Sequence, residues 1–130
     1  MMLRILTLIF CLSLSKLVSL EDKEILFKNS YVTCYTDRLV IAYYYFPFGD
    51  KTIQYKNIRS MKLLGKNDFN FFQIKSWGMG LSPIWWHLDM HRAWRQHFII
   101  FDANQWPKIG LTMNDNDTLT VYYLIKKTLI

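Results

Sequence analysis

The chain has 130 residues, 52% of them hydrophobic, and a formal net charge of +6 at pH 7. This length and composition suit one domain with its own core, exclude a disordered chain and argue against two independently folded domains. Without Arg4 and Lys16 of the first twenty residues, fourteen basic groups face ten acidic ones. Such a mild surplus is no nucleic acid signature, and we expect no nucleic acid partner.

Residues 1–20 combine a basic start at Arg4, an apolar run over Ile5–Leu14 and small serines before residue 20. This is the layout of a secretory signal peptide. An uncleaved membrane anchor and an ordinary hydrophobic helix remain alternatives, although Lys16 interrupts the run well short of the about 20 apolar residues that span a bilayer. We therefore expect a secreted or membrane-associated protein, or a cytoplasmic one if the segment is not a signal.

Cys11 and Cys34 do not form a disulfide framework. Neither belongs to a Cys-x-x-Cys pair or lies near a convincing base, so no reactive thiol is expected. Cys34 falls in a predicted strand, where a free thiol behaves as a small buried hydrophobe.

Residues 21–29 are predicted to be a linker and residues 30–130 a β-rich domain, because short alternating runs are separated by compact turn signals. Leu39–Phe46 is continuously apolar and is predicted to be buried on both faces. Leu81–Ala93 is predicted to be an aromatic-rich loop. The seven predicted strands are Ser30–Tyr35, Leu39–Phe46, Lys51–Tyr55, Arg59–Leu64, Phe69–Trp77, Trp94–Ala103 and Lys108–Met113.

The end of the chain predicts a helix. Residues 114–117 offer side-chain oxygens to the free amides of a helix start, which gives Asn116 a structural role. From Leu119 to Leu129 apolar residues recur at helical spacing. Asn116 also begins an Asn-Asp-Thr glycosylation sequon, which matters only in a eukaryotic secretory pathway. The element order predicts a mainly β, α+β domain, namely a seven-stranded antiparallel barrel or sandwich capped by the C-terminal helix.

Over Ser30–Ile130 these pieces resemble a bacterial pleckstrin-homology-like (PH-like) domain protein. The resemblance is carried by YYFPFG at residues 44–49, IQYKNI at 53–58, WGMG at 77–80, Trp86 with Asp89 and Arg92, and the Asp-rich helix start. It implies two nearly orthogonal antiparallel sheets closed by the helix, with Trp77 and Gly78 as structural residues.

The same resemblance implies a binding scaffold for phosphoinositides, peptides or proteins, and some members of the family form oligomers. Phosphoinositide binders of this family share a Lys and Arg array across the first hairpin loop. Here that loop is Thr36-Asp37-Arg38, with one cation and one acid. Recognition of an inositol phosphate by that route is therefore not expected.

His87 and His91 are spaced like two ligands on a helix face, with Asp89 between them. No third histidine follows at ligand spacing, so we favour a structural ion pair between Asp89 and Arg92 that staples the long loop. No nucleophile with a base, carboxylate pair or glycine-rich phosphate cradle is evident. We expect no enzyme, metal, cofactor or small-molecule substrate.

Two residue sets suggest contact surfaces. Clustered aromatic rings in or beside turns indicate a protein interface, or else they cap the barrel from outside. A basic cluster could meet anionic lipid headgroups, or it is the solvated face of a half-buried strand. The first set is Phe69, Trp85, Trp86 and Trp106, and the second is Lys56, Arg59, Lys62 and Lys66. The sequence predicts a non-enzymatic module for protein binding or self-association. The alternative is peripheral binding to an anionic membrane, in which the basic cluster meets the headgroups and a loop aromatic inserts.

Overall fold

In the computed structural model, residues 24–45, 47–69 and 74–130 are described. They form a mainly β fold with one C-terminal helix, which confirms the predicted class at that level. The elements are β1 (Ile25–Lys28), β2 (Val32–Tyr35), β3 (Arg38–Tyr45), β4 (Gly49–Gln54), β5 (Ser60–Gly65), β6 (Gly78–Met79), β7 (Ile84–Trp86), β8 (His97–Asp102), β9 (Lys108–Leu111) and α1 (Asp115–Leu129).

The strands form two sheets. The first has four strands in the order β1-β2-β3-β4, and the second has five in the order β5-β8-β9-β7-β6. A 3₁₀ turn at Tyr55–Asn57 separates β4 from β5. Within the described residues β4 is hydrogen-bonded only to β3, and β5 only to β8. Among the described strands, no hydrogen bonding joins β4 to β5 or closes either sheet on itself, so the predicted closed barrel is wrong.

Three predicted elements need correction. The predicted linker at residues 21–29 contains β1, which pairs antiparallel with β2. The predicted loop Leu81–Ala93 contains β7, which lies parallel to β9, so the pairing is not wholly antiparallel. Of the predicted strand Phe69–Trp77, residues 70–73 lie outside the described part, and residues 74–77 are not in a strand. The neighbouring strand β6 begins only at Gly78.

β3 is not buried on both faces as predicted. Leu39 and Ile41 point into the core, whereas Tyr43 and Tyr45 are about half exposed and Tyr44 between them is buried. A register shift between Ile41 and Tyr45 interrupts the pairing with β4. This bulge resets the alternation of side chains, so the run Tyr43-Tyr44-Tyr45 turns only its middle ring inward.

The main core lies between the sheets and is closed by α1. Leu39, Ile41 and Ile53 of the first sheet share one cluster with Ile99 and Phe101 of the second. Val121 and Ile125 from α1 join it, so the helix fills an open end of the sandwich. Cys34 belongs to this core, and burial raises the pKa of its thiol to about 12. It is the inert hydrophobe that the sequence predicts.

A second apolar layer covers the outer face of the five-stranded sheet. Its buried members are Ile84, Trp86, Phe98 and Ile100, with Leu64, Phe69 and Ile74 packed against them. The indole of Trp86 lies directly over Gly110 of β9. The absence of a side chain at Gly110 is what lets this large ring approach the sheet.

The start of α1 is fixed by side-chain caps, as predicted. Asn114 Oδ1 accepts the backbone amide of Asn116 at 3.0 Å. Asp117, in the first turn, is held by the side-chain Nδ2 of Asn29, which donates to its Oδ2 at 3.0 Å. Lys126 and Lys127 occupy the last turn, where cations complement the helix dipole. Asn116 is exposed, and it takes part in the cap through its backbone amide, whereas the capping side-chain oxygen belongs to Asn114.

The close approach at Gly110 is testable. A Cβ there would overlap the Trp86 ring, so we expect Gly110→Ala to lower the free energy of unfolding by about 1–3 kcal/mol. Gly65→Ala is the matched control, because its Cβ would meet its nearest atom at 3.6 Å, an ordinary contact. Urea unfolding at equilibrium measures both, and equal midpoints for the two variants would contradict this account of the packing.

Candidate functional site

A cluster of polar side chains lies in the interior where the chain leaves β7. His87, Asp89 and Arg92 follow that strand, and Thr112 follows β9. All four are at most 1% exposed. Charged residues are rarely buried so completely unless they are paired, so their partners decide what the cluster does.

Asp89 is the centre of the cluster. Its Oδ2 accepts from the Thr112 hydroxyl at 2.6 Å and from Arg95 Nε at 3.2 Å. Its Oδ1 accepts from the amide of His91 at 3.0 Å and from the Tyr31 hydroxyl at 3.4 Å. Burial alone would raise the pKa of Asp89, but the hydrogen bonds from Arg95 and Thr112 hold that pKa below its usual value. The carboxylate is therefore charged, and both of its oxygens accept hydrogen bonds from neighbouring residues.

The predicted ion pair between Asp89 and Arg92 is wrong, because the carboxylate pairs with Arg95 instead. The two terminal nitrogens of the Arg92 guanidinium donate to the backbone carbonyls of Lys75 and His87. Its Nε donates to the Thr112 hydroxyl at 3.1 Å. The Thr112 hydroxyl thus links the two charged side chains, because it donates to the Asp89 carboxylate and accepts from the Arg92 guanidinium. The predicted staple exists, but it works through the threonine and ties the segment after β7 to residues 75 and 112.

His87 is held as a neutral ring. Its Nε2 accepts the amide of Thr112 at 3.1 Å, and its Nδ1 lies 3.1 Å from the carbonyl of Leu88, which places the proton on Nδ1. Burial, helped by the charge of Arg92, lowers the pKa of His87 to about 3. The lone pair that a metal ion would need is occupied. No group of three potential metal ligands occurs in the part of the chain that the structure describes.

A second unusual feature is the bulge of β3. Tyr43 has a φ of +53°, a strained conformation for an aromatic residue. Its carbonyl accepts the amide of Leu88 at 2.9 Å. The next carbonyl, that of Tyr44, accepts the indole N–H groups of both Trp77 and Trp85, at 3.0 and 2.9 Å. Three donors, one on β7 and two in the segments beside β6 and β7, therefore hold the strained backbone in place.

Exposed rings surround this bulge, and we call Tyr43, Tyr45, Phe48 and Trp77 the aromatic surface. Phe48, in the turn after the bulge, is 89% exposed. Tyr45 and Trp77 belong to one chain of ring contacts that runs through Tyr44 and Trp85. The centroid separations are 5.0 Å for Tyr44 and Tyr45, 6.1 Å for Tyr44 and Trp85, and 5.2 Å for Trp77 and Trp85. The side chain of Lys51 lies beside it, with Nζ 3.5 Å from the Tyr45 hydroxyl. The rings of Tyr45 and Trp77 are thus packed against neighbouring rings and are still partly open to solvent.

The aromatic residues predicted as an interface are scattered. Trp86 is fully buried over Gly110, so this ring cannot meet a partner. Phe69 packs against it in the outer layer, with centroids 5.8 Å apart. Trp85 is half-buried beneath the aromatic surface, and Trp106 is 73% exposed in the turn between β8 and β9.

Sequence reasoning missed most of the aromatic surface. Tyr43 and Tyr45 were expected inside a buried strand, and Trp77 was assigned only a structural role. The signal for Phe48 was available, since it lies inside the turn Pro47-Phe48-Gly49. Trp77 does carry its predicted structural role through Tyr44, and the adjacent Gly78 has a φ of +83°, which favours glycine.

The four predicted cations are exposed but do not form one array. Lys66 follows β5 at the end that pairs with His97, beside the start of α1. Lys56 lies at the other end of α1, where it shares a groove with Thr128. Lys62 pairs in register with Ile100 on the outer face of the sheet, and Arg59 donates to the side chain of Asn104.

Comparisons with protein-family models, curated proteins and solved structures found no match. The PH-like resemblance therefore stays a prediction. The predicted signal or anchor at residues 1–20 lies outside the described residues. Within residues 24–45, 47–69 and 74–130, no helix has the length and apolarity needed to cross a membrane.

The buried histidine makes stability depend on pH. The folded chain binds a proton at His87 only near pH 3, whereas the unfolded chain binds it near 6.5, so the unfolded state gains protons first as the pH falls. We expect the free energy of unfolding to drop by about 2 kcal/mol from this residue between about pH 7.5 and about pH 5. This window stays above the range in which Asp89 titrates. Urea unfolding at several pH values in this window gives the unfolding free energy as a function of pH. This free energy should fall less steeply with decreasing pH in His87→Gln than in the wild-type chain, and the same pH dependence in both would contradict the assignment.

Thr112 gives a second test. Thr112→Val keeps the side chain's shape but leaves Asp89 without one donor and Arg92 without one acceptor, so we expect a loss of about 3 kcal/mol in unfolding free energy. Thr112→Ser restores the hydroxyl and should recover most of that loss, apart from about 0.8 kcal/mol for the missing methyl group. Equal loss in both variants, measured by thermal or urea unfolding, would mean that the hydroxyl is not the link.

Proposed function

We propose that this chain is a non-enzymatic binding module of PH-like fold that holds an extended segment of a protein partner on its aromatic surface. The observation that carries the proposal is the bulge of β3, where a strained backbone fixed by three tertiary hydrogen bonds presents Tyr43, Tyr45 and Phe48 to solvent. Strain of this kind persists only where the surrounding structure enforces it, and it concentrates at binding sites.

The rigidity of the surface favours binding. Association loses free energy when mobile side chains become ordered, and rings that are already supported avoid much of that cost. Tyr45 is held edge-to-face against Tyr44, and Trp77 against Trp85. Tyrosine and tryptophan also offer a hydrogen-bonding group at the edge of a large apolar face, which is why they are common in protein interfaces.

An extended polypeptide is the occupant that the neighbouring backbone favours. β4 leads directly from the aromatic surface and is hydrogen-bonded only to β3 among the described strands. A strand edge of this kind can accept main-chain hydrogen bonds from an added peptide, while nearby pockets and rings select its side chains. Lys51 lies on β4 against Tyr45, so an acidic group on the partner would find a cation there.

The element order supports the PH-like part of the proposal. A four-stranded antiparallel meander is followed by a second sheet and by a helix that fills the open end. The parallel pairing of β7 with β9 departs from the expected antiparallel pattern. The non-enzymatic part is supported by the polar cluster, because Asp89, His87 and Thr112 use one another's polar atoms in the interior and present none to a cleft.

Phe48 should carry much of the binding. The probes are peptides that are selected from a displayed random library for binding to the full chain. Fluorescence anisotropy then measures their affinity for the chain and its variants. Because Phe48 is almost fully exposed, Phe48→Ser should leave folding intact and weaken the selected peptides at least about tenfold, as for an interface hot spot. Trp94→Ser, at a ring that is 71% exposed elsewhere, is the matched control and should bind normally. No enrichment of peptides, or equal affinity for Phe48→Ser, would contradict the proposal.

A further inference from the structure

The end of α1 offers a second surface, which has no part in the proposed function. Two grooves flank its last turns and share Thr128. One has a volume of about 850 Å³ and lies between β1 and the helix, and the other, of about 650 Å³, lies between the helix and the turn after β4. We call the surface around them the C-terminal face, which comprises Leu26, Lys56, Tyr123, Lys126, Lys127, Leu129 and Ile130.

Apolar side chains stay exposed on this face because the core covers only one stripe of the helix. Val121 and Ile125 are buried between the sheets, whereas residues 126–130 are exposed. Tyr123 is 57% exposed and Ile130 is 98% exposed, while Leu26 and Leu129 are less so. Exposed apolar groups grouped in one place on a small domain mark a contact surface.

The charge on the face is mainly positive. Lys126 and Lys127 border the first groove and Lys56 borders the second. The nearby acids are Asp37, which pairs with Arg38 at 3.3 Å, and Glu24, which immediately precedes β1. Lysines bordering exposed apolar groups suit the interface of an anionic bilayer, where cations near the surface are attracted to the lipid headgroups. A second copy placed symmetrically on the same face would bring lysines towards lysines, which disfavours it.

The chain also enters the domain at this face. β1 begins at Ile25, and Leu26 lines the larger groove. The apolar run over Ile5–Leu14, with Arg4 and Lys16 at its ends, therefore stands a few residues before the face in sequence. If that segment is retained, its connection leads to the same side of the domain that carries the exposed apolar groups.

We propose that the C-terminal face docks this domain on the headgroup region of an anionic bilayer. Leu26, Leu129 and Ile130 enter the boundary between headgroups and acyl chains, and the three lysines meet lipid phosphates. The contact is shallow, since the last carbonyls of α1 have no partners within the helix and would be costly to bury in hydrocarbon. The basic strand β5 is not part of this contact, because Lys62 lies on the outer face of the five-stranded sheet and Lys66 beside the start of α1.

The proposed bilayer contact and the aromatic surface are far apart. Ala42, at the bulge end of β3, donates to the carbonyl of Tyr31, at the start of β2. Ile25, by contrast, pairs with Tyr35 at the other end of β2. The two surfaces therefore lie at opposite ends of the four-stranded sheet, and occupation of one leaves the other free.

Co-sedimentation of the full chain with vesicles tests the inference. The probes are vesicles of phosphatidylcholine alone and of phosphatidylcholine mixed with phosphatidylserine. We expect the wild-type chain to partition at least about tenfold more strongly into the anionic vesicles, and the double variant Lys126→Glu, Lys127→Glu to lose that preference. The double variant Lys62→Glu, Lys66→Glu makes the same charge change elsewhere and should keep it.

Ile130→Ser is the second variant, chosen because so exposed a side chain contributes little to folding. It should lower partitioning into anionic vesicles about threefold or more, as expected for withdrawing an apolar side chain from the bilayer boundary. Phe48→Ser should sediment like the wild-type chain, which separates this inference from the proposed function. Equal binding to both vesicle types, no binding to either, or equal losses in the two double variants would overturn it.

Discussion

Asp89 carries a charge inside the domain, and the surrounding chain is arranged to satisfy it. A buried carboxylate without partners would cost several kcal/mol, so its hydrogen bonds to Thr112, Arg95 and the amide of His91 must form together. Those bonds fix the path of the chain after β7. The backbone amide of Asp89 donates to the carbonyl of Ser76 at 2.9 Å, which ties the approach to β6 to the same point.

The aromatic surface depends on that arrangement. Leu88, next to Asp89, donates to the carbonyl of Tyr43, and Trp77, next to Ser76, donates to that of Tyr44. The donors that hold the strained bulge are thus neighbours of the residues that the buried carboxylate fixes. Because hydrogen bonds in a buried network strengthen one another, the contacts of Asp89 and the contacts of the bulge support each other. The buried charge of Asp89 thus helps to position the exposed rings.

The sequence predicted the parts of this fold that follow from local physics. Alternation found the strands near β2, β5, β8 and β9, and side-chain oxygens found the start of α1 at Asn114. β1 was not predicted because its four residues, interrupted by a bulge, give too short an alternation. β7 was not predicted because Pro83 and two adjacent tryptophans resemble a loop. The ion-pair partner of Asp89 was predicted wrongly for another reason. The Arg92 guanidinium is hydrogen-bonded to buried backbone carbonyls, which leaves Arg95 to pair with the carboxylate. Tertiary packing decides which arginine lies next to those carbonyls.

Exposure of the rings was the least predictable property. In a regular strand, side-chain parity assigns each residue to a face, but one residue at positive φ shifts the parity of all that follow. Tyr43 does this in β3, so the side chains on either side of Tyr44 turn outward from a run that looks wholly apolar. At the other end of the sheet, the exposed side chains of α1 follow from simple helical geometry. The buried residues Thr118, Val121 and Ile125 follow one stripe of the helix. Side chains away from that stripe, together with those of the last turn, are left exposed. One surface thus arises from a local defect held by tertiary contacts, and the other from the part of an amphipathic helix that the core does not cover.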